Sequence, residues 1–196
     1  MDLLQVRRAM LSVTNKSGLV RFAEFLSKTW DVSLVSTGGT MKTLEDAGLP
    51  VTAVSSVTGF PEILDGRVKT LHPNIHAGIL ASKDKPDHLL TLAEKGIEAF
   101  DLVCVNLYDF AVAVERQLSL EEAVEEIDIG GPCMIRAAAK NFHSVLVVPA
   151  PEWYDTIMEE MDMHNGCVGL VLRRHLASRA FSQTSRYDAL ISSYMR

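Results

Sequence analysis

A chain of 196 residues that is 47% hydrophobic and 22% charged can fill one buried core, and its 12 glycines and 7 prolines are too few for a fibrous or disordered chain. With 19 Lys plus Arg against 25 Asp plus Glu the formal charge is −6, which disfavours nucleic acid or an anionic membrane as partner and leaves room for a small anion in a local basic pocket. Cys104, Cys133 and Cys167 are widely spaced with no CxxC pair, which points away from a disulfide framework or zinc ribbon and toward a reducing cytoplasm, and no uncharged apolar stretch is long enough to span a bilayer.

The predicted elements alternate. Ala9 to Val13 is an apolar strand, Thr14-Asn15-Lys16-Ser17-Gly18 a polar turn, and Leu19 to Leu26 carries helical spacing. Val32 to Val35 reads as a second strand, Ser36 to Thr40 as a loop, Met41 to Ala47 as a helix stopped by Gly48, and Val51 to Val54 as a third strand. This order implies a parallel sheet with right-handed crossovers. Ser55 to Ala81 reads as a long irregular segment, punctuated by Gly59, Pro61, Gly66, Pro73 and Gly78. A helix follows near Asp87 to Lys95, then a core strand over Leu102 to Leu107 and a helix around Leu120 to Glu126. Pro132 is placed to begin a further helix that runs to about Lys140, Ser144 to Val148 is the last strand, and Pro151 onward reads as helices. Ligands of such sheets gather at the carboxyl ends of the strands, so the turns after the first, second and fifth strands and the irregular segment are the places to look.

Ser36-Thr37-Gly38-Gly39-Thr40 follows a strand and opens a helix, which suits either a phosphate at the helix N-terminus or a plain capped turn. The turn carrying Lys16 repeats that recipe and adds a cation. Asp65-Gly66-Arg67-Val68-Lys69-Thr70 is the densest polar string; if it is extended, Arg67 and Lys69 share a side and clamp an anion. His72 and His76 have HxxxH spacing, but Pro73 argues against a shared helical face and no third ligand is evident, so His72 reads as a pocket wall or a satisfied structural histidine. Asn106 and Tyr108 end the Leu102 strand at the ligand edge, where Tyr108 is either a donor to substrate or a core cap. Asp128 precedes Gly130-Gly131 as an anion-site neighbour or a helix-dipole partner, and Lys140 ends the same helix, where a cation is favoured without any function. Cys104 and Cys133 read as structural thiols, although a helix start lowers a thiol pKa. A ten-residue helix is about 15 Å long, so Asp128 and Lys140 meet only if the chain folds back at the glycines.

Taken in order, Ser36 to Thr40, Thr58-Gly59-Phe60-Pro61-Glu62, Asp65 to Pro73 with His76-Gly78-Ile79-Leu80, Asn106-Leu107-Tyr108, and Ile127 to Gly131 with Arg136 to Asn141 resemble the inosine monophosphate (IMP) cyclohydrolase domain of bifunctional purine biosynthesis enzymes, from about Arg8 onward. The resemblance implies a methylglyoxal-synthase-like three-layer α/β sandwich with a central, mainly parallel sheet and a helical C-terminal region, with residues 1–196 as one domain. It implies dehydrative closure of a formamidoimidazole carboxamide ribotide to IMP without metal or organic cofactor. Lys16, Ser36, Thr37, Gly38 and Gly39 would then hold the ribotide phosphate with Ser12 and Arg67 nearby. Thr70, Asn106 and Gly130 would complete the substrate set, and Lys69, Tyr108, Asp128 and Lys140 would surround the reacting groups.

Two residues depart from that family, Asp109 where Pro is common and Cys133 where a small or hydroxyl residue is frequent. The family usually continues into a formyltransferase domain. The chain is therefore either a single-domain enzyme served by a separate upstream formyltransferase or an excised domain, and a homodimer is compatible with both. Two other readings keep the fold: a small-anion regulatory domain, which has no need of Lys69, Tyr108, Asp128 and Lys140, and a methylglyoxal synthase, to which the Lys-Thr-Leu-His-Pro and Ile-Asp-Ile-Gly-Gly strings do not belong.

Overall fold

The computed structural model describes residues 2–107, 110, 116 and 118–196. Its centre is a five-stranded sheet in the order β4-β3-β2-β5-β6, every pairing parallel. The strands are β2 (Arg8–Val13), β3 (Ser33–Ser36), β4 (Val51–Ala53), β5 (Leu102–Asn106) and β6 (Leu146–Val148). All five residues of β5 and all three of β6 are buried, as near-continuous apolar runs in a sheet covered on both faces require. Helices α1 (Leu19–Glu24, extended by a π turn to Thr29), α2 (Gly38–Asp46), α3 (Val54–Thr58), α4 (Pro73–Leu80) and α5 (Pro86–Glu94) precede β5. Helices α6 (Leu120–Glu125), α7 (Gly130–Lys140), α8 (Tyr154–Met163) and α9 (Leu170–Tyr194) follow it.

The alternation read from the sequence gives this sheet, and three expectations need correction. The segment Ser55 to Ala81 is not irregular throughout: it contains most of α3, a 3-10 turn at Leu64–Gly66 and α4. Pro73 is the first residue of α4, where its missing N–H is harmless, and His72 is the N-cap, its Nδ1 accepting the Asn74 N–H at 3.1 Å. The region after Pro151 is not wholly helical, because β7 (Cys167–Gly169) pairs antiparallel with β1 (Leu3–Gln5). Finally, α7 begins at Gly130 and not at Pro132.

The amino ends of the strands are tied by one buried polar knot. Asp101 accepts the N–H groups of Arg7 and Arg8 at 2.8 Å each and is paired with Lys83, whose ammonium also donates to the carbonyls of Phe100 and Ser144. Burial pulls the Lys83 pKa down while Asp101 opposes the shift. Arg173 of α9 is fully buried and donates to the carbonyls of Phe142, His143 and Asp2, which clips the last helix to both ends of the chain's core. Removing one member of a buried pair leaves the other charged and unmatched. Asp101→Asn is therefore expected to cost about 3 kcal/mol, read as a lower urea midpoint at unchanged slope.

Candidate functional site

The strand order reverses direction between β2 and β5, and at that point the chains leaving the two strands diverge and open a crevice. Asn106, the last residue of β5, sets its floor. Its Oδ1 accepts the N–H groups of Thr14 and Asn15 at 2.8 and 2.9 Å, and its Nδ2 donates to the Asn15 carbonyl at 2.9 Å. The Asn106 side chain is thus committed to the turn and acts as a strut for it. The Thr40 hydroxyl accepts the Val13 N–H at 2.9 Å and donates to the Val13 carbonyl at 3.0 Å, so the start of α2 is stitched to the end of β2. Ser36 is fully buried and donates to the Leu11 carbonyl at 2.7 Å.

These bonds bring the two phosphate-type loops together. The Lys16 ammonium lies 3.8 Å from where a Cβ on Gly39 would sit, and Gly38 supplies the left-handed turn (φ +56°) that opens α2. Thr37 caps that helix without a side-chain hydrogen bond, so no cap side chain occupies the first-turn N–H groups, which have no intrahelical acceptors. Ser12 is half-buried in β2, one residue before the turn.

A second corner adjoins the first. Leu107 follows Asn106 and packs against Gly131, with its Cδ2 3.1 Å from a Cβ placed there. Asp128 Oδ1 accepts the Gly131 N–H at 2.9 Å, and the buried Thr70 hydroxyl lies 2.6 Å from a Cβ placed on Gly130. The polar string of the sixties therefore abuts the start of α7 through Thr70, the residue after Lys69. Arg67 and Lys69 do not form the expected clamp. Arg67 has helical dihedrals (φ −65°, ψ −27°) and pairs with Glu125 of α6, whereas Lys69 Nζ lies 4.0 Å from Glu62 Oε1. Glu62 stands in the Thr58 to Glu62 string without a role of its own in the sequence reading, and Glu125 carries no motif beyond charge.

Lys140 stands apart. The helix from Gly130 is unbroken, so Lys140 is exposed at the opposite end, about 15 Å from the corner. The fold-back at the glycines that Lys140 would need does not occur. Tyr108 and Asp109 lie outside the described residues. Cys104 is buried against the Tyr154 hydroxyl at 3.4 Å, and burial pushes its thiol up to about 12, which makes it a structural thiol. Cys133 is half-buried in the second turn's approach of α7. Among the described residues no cluster of three or more His, Cys, Asp or Glu is placed to hold a metal, and no helix is long and apolar enough to cross a membrane.

Comparison with known proteins covers nearly the whole chain. The family model described as MGS-like domain matches residues 18–133, and the one described as AICARFT/IMPCHase bienzyme matches residues 138–196. The bifunctional purine biosynthesis protein PurH of Rhodospirillum rubrum is 52% identical over 193 residues, and that of Neisseria meningitidis is 50% identical over 191 residues. They cover 98% and 97% of this chain, which spans 36% of the length of each. The crystal structure of ForH is 33% identical with a TM-score of 0.84, over 97% of this chain and 100% of that one.

The Asp128 corner depends on a missing side chain. A Cβ on Gly131 would sit 2.1 Å from Asp128 Oδ2, too close for any real contact. Gly131→Ala is expected to turn the Asp128 carboxylate out while changing the melting temperature by only a few degrees, because the helix gains roughly 1 kcal/mol from Ala. Calorimetry and a crystal structure of the variant check both halves.

Proposed function

The chain belongs to the MGS-like domain family, and from that premise we propose that it is an IMP cyclohydrolase, a hydrolase-class enzyme of purine biosynthesis acting on a formamidoimidazole carboxamide ribotide. What supports the reading most is the contact of Thr70 with Gly130. Thr70 follows Lys69 in the chain and Gly130 lies two residues after Asp128, so this contact brings the segments carrying those two residues together, and one elongated phosphorylated substrate would reach from there to Lys16 and Gly39. The full PurH activity of the relatives includes more than this chain's 36% share, and the present proposal concerns the cyclisation alone, with residues 1–196 as one domain.

In that reaction the carboxamide nitrogen bonds to the formyl carbon, the formyl oxygen takes up protons, and the C–O bond breaks to release water. The Lys16 ammonium and the α2 N-terminus, with Ser36, Thr37, Gly38 and Gly39 forming the loop, hold the phosphate and fix the ribotide's far end. Ser12 lies along the bound ribose side, and Arg67 reaches the ligand on leaving Glu125. Orientation of the two reacting groups of one substrate then supplies a large part of the barrier reduction. Lys69, together with Tyr108, polarises the formyl oxygen as it gains negative charge, and Asp128 accepts and returns the proton of the carboxamide nitrogen. Thr70 and Gly130 form the wall beside the imidazole, and no metal or organic cofactor enters any step.

A homodimer in the cytoplasm completes the reading. The exposed apolar side chains of Phe60, Leu64 and Ile129 flank the crevice and favour a second copy there.

The assay follows ultraviolet absorbance as the formylated ribotide is mixed with the pure protein, with conversion to IMP expected. Lys69→Ala and Asp128→Asn should each lower kcat by about 100-fold or more with the fold intact by circular dichroism. A wild-type protein that binds the ribotide without converting it would favour the small-anion regulatory reading. Lys140→Ala carries separate information, because Lys140 ends α7 about 15 Å of helix away from Gly130. The reaction described uses only Lys69, Tyr108 and Asp128, so the Lys140→Ala variant is expected to keep turnover within a few-fold; a loss comparable with that of Lys69→Ala would mean that a second copy delivers Lys140.

A further inference from the structure

The loop between β5 and α6 and the corner at Asp128 share one anchor, and it is not part of the sheet. A small apolar cluster separate from the main core is built from Phe110, Ala123 and Tyr187, with Leu107, Leu118, Ile127, Leu190, Ile191 and Tyr194 packed on it. Tyr187 and Tyr194 come from the last two turns of α9. Tyr187 is 7% exposed, and its hydroxyl oxygen accepts the Asp128 N–H at 2.8 Å. Its ring meets Phe110 edge-on at 6.5 Å, and Tyr194 meets the other side of Phe110 edge-on at 5.5 Å. The Tyr194 hydroxyl donates to the Leu118 carbonyl at 2.8 Å.

Two sites in sequence are fixed by this arrangement. Asp128 is held from behind by Tyr187 through its N–H and from the front by Gly131 through its carboxylate. Leu107 and Phe110 flank position 108, and both belong to the cluster. The phosphate-side loops have no such tie: Lys16 and Gly39 are positioned by Asn106 and Thr40, which α9 does not touch through any of these bonds.

We propose that the C-terminal part of α9 is a positioning element for the reacting end of the site, with Tyr187 as the residue that holds Asp128 in register and Tyr194 packing on Phe110 and bonding the Leu118 carbonyl beside it. The catalytic consequence rests on the cyclohydrolase reading; the positioning itself does not. Loss of the Tyr187 hydroxyl frees the Asp128 backbone without touching the phosphate subsite, so it acts on kcat and spares KM. A misplacement of the reacting groups on the ångström scale is worth about 10- to 100-fold in rate.

The test is Tyr187→Phe, which keeps the ring and its packing on Phe110 and removes only the hydroxyl, with Tyr194→Phe as companion. Amide hydrogen exchange at Asp128 is measured first. Exchange at Asp128 at least about tenfold faster in Tyr187→Phe, with the amides of β2 and β5 unchanged, is the expected result. In the cyclisation assay the same variant should lose about tenfold in kcat with KM within about twofold. Unchanged Asp128 exchange would overturn the positioning claim. Faster exchange with an unaltered kcat would show that Asp128 does not need Tyr187 for the chemistry. A wild-type protein without cyclisation would sink the functional reading, while the exchange result would still decide whether Tyr187 holds Asp128.

Discussion

The three hydrogen bonds of the Asn106 side chain are the constraint on which the site depends. They sit where the sheet reverses its winding, the one place at which the ends of two adjacent strands leave toward opposite sides. An open crevice at that point would expose the N–H groups of Thr14 and Asn15 with no ladder partner. By accepting both, Asn106 fixes the turn that presents Lys16 to Gly39. The next residue, Leu107, carries the register on to Gly131. The Lys16 corner and the Asp128 corner thereby rest on two consecutive residues, Asn106 and Leu107, while each keeps hydrogen bonds of its own.

The opposite edge of the sheet is closed by the Lys83–Asp101 knot and by Arg173, and the two edges divide the work. At the amino ends, buried charges satisfied by backbone carbonyls and N–H groups lock the strands at a high cost of disruption. At the carboxyl ends, polar groups are held by neutral amide and hydroxyl bonds, and the charged side chains stay partly exposed. Such an arrangement leaves the cations available to a ligand while the scaffold under them stays rigid.

The sheet was legible because its strands fall in apolar runs, even where, as in β4 and β6, only three residues pair. The equally short β1 and β7 were not, because Leu3-Leu4-Gln5 and Cys167-Val168-Gly169 carry no such run. Helix α4 was hidden by its punctuation. Pro73 looked like a breaker but occupies the first turn, and Gly78 looked like a loop residue but is a close-approach site, where a Cβ would lie 2.7 Å from the Glu98 carbonyl. At the site, loop motifs located the phosphate-type turns and the Gly130-Gly131 corner. That Arg67 would meet Glu125, and whether Asn106 would face ligand or backbone, depended on tertiary contacts between segments 58 and 92 residues apart, which spacing along the chain does not encode.

Local charge, and not the net −6, decides what the crevice accepts. Among the described residues, Lys16 has no carboxylate within ion-pair distance, whereas Arg67 is matched by Glu125 and Lys69 by Glu62. A phosphate arriving at Lys16 therefore gains its attraction without breaking a pair, and it adds the dipole and free N–H groups of α2. Arg67 and Lys69 must instead exchange a partner, but their pairs are solvent-exposed or half-exposed, and such pairs are worth only about 0.2–1 kcal/mol. Exchange is then cheap enough to be driven by a dianionic ligand already seated on Lys16. On the proposed reading the order follows from these magnitudes: the phosphate would bind first at Lys16, and Arg67 and Lys69 would turn from their glutamates toward the ligand afterwards.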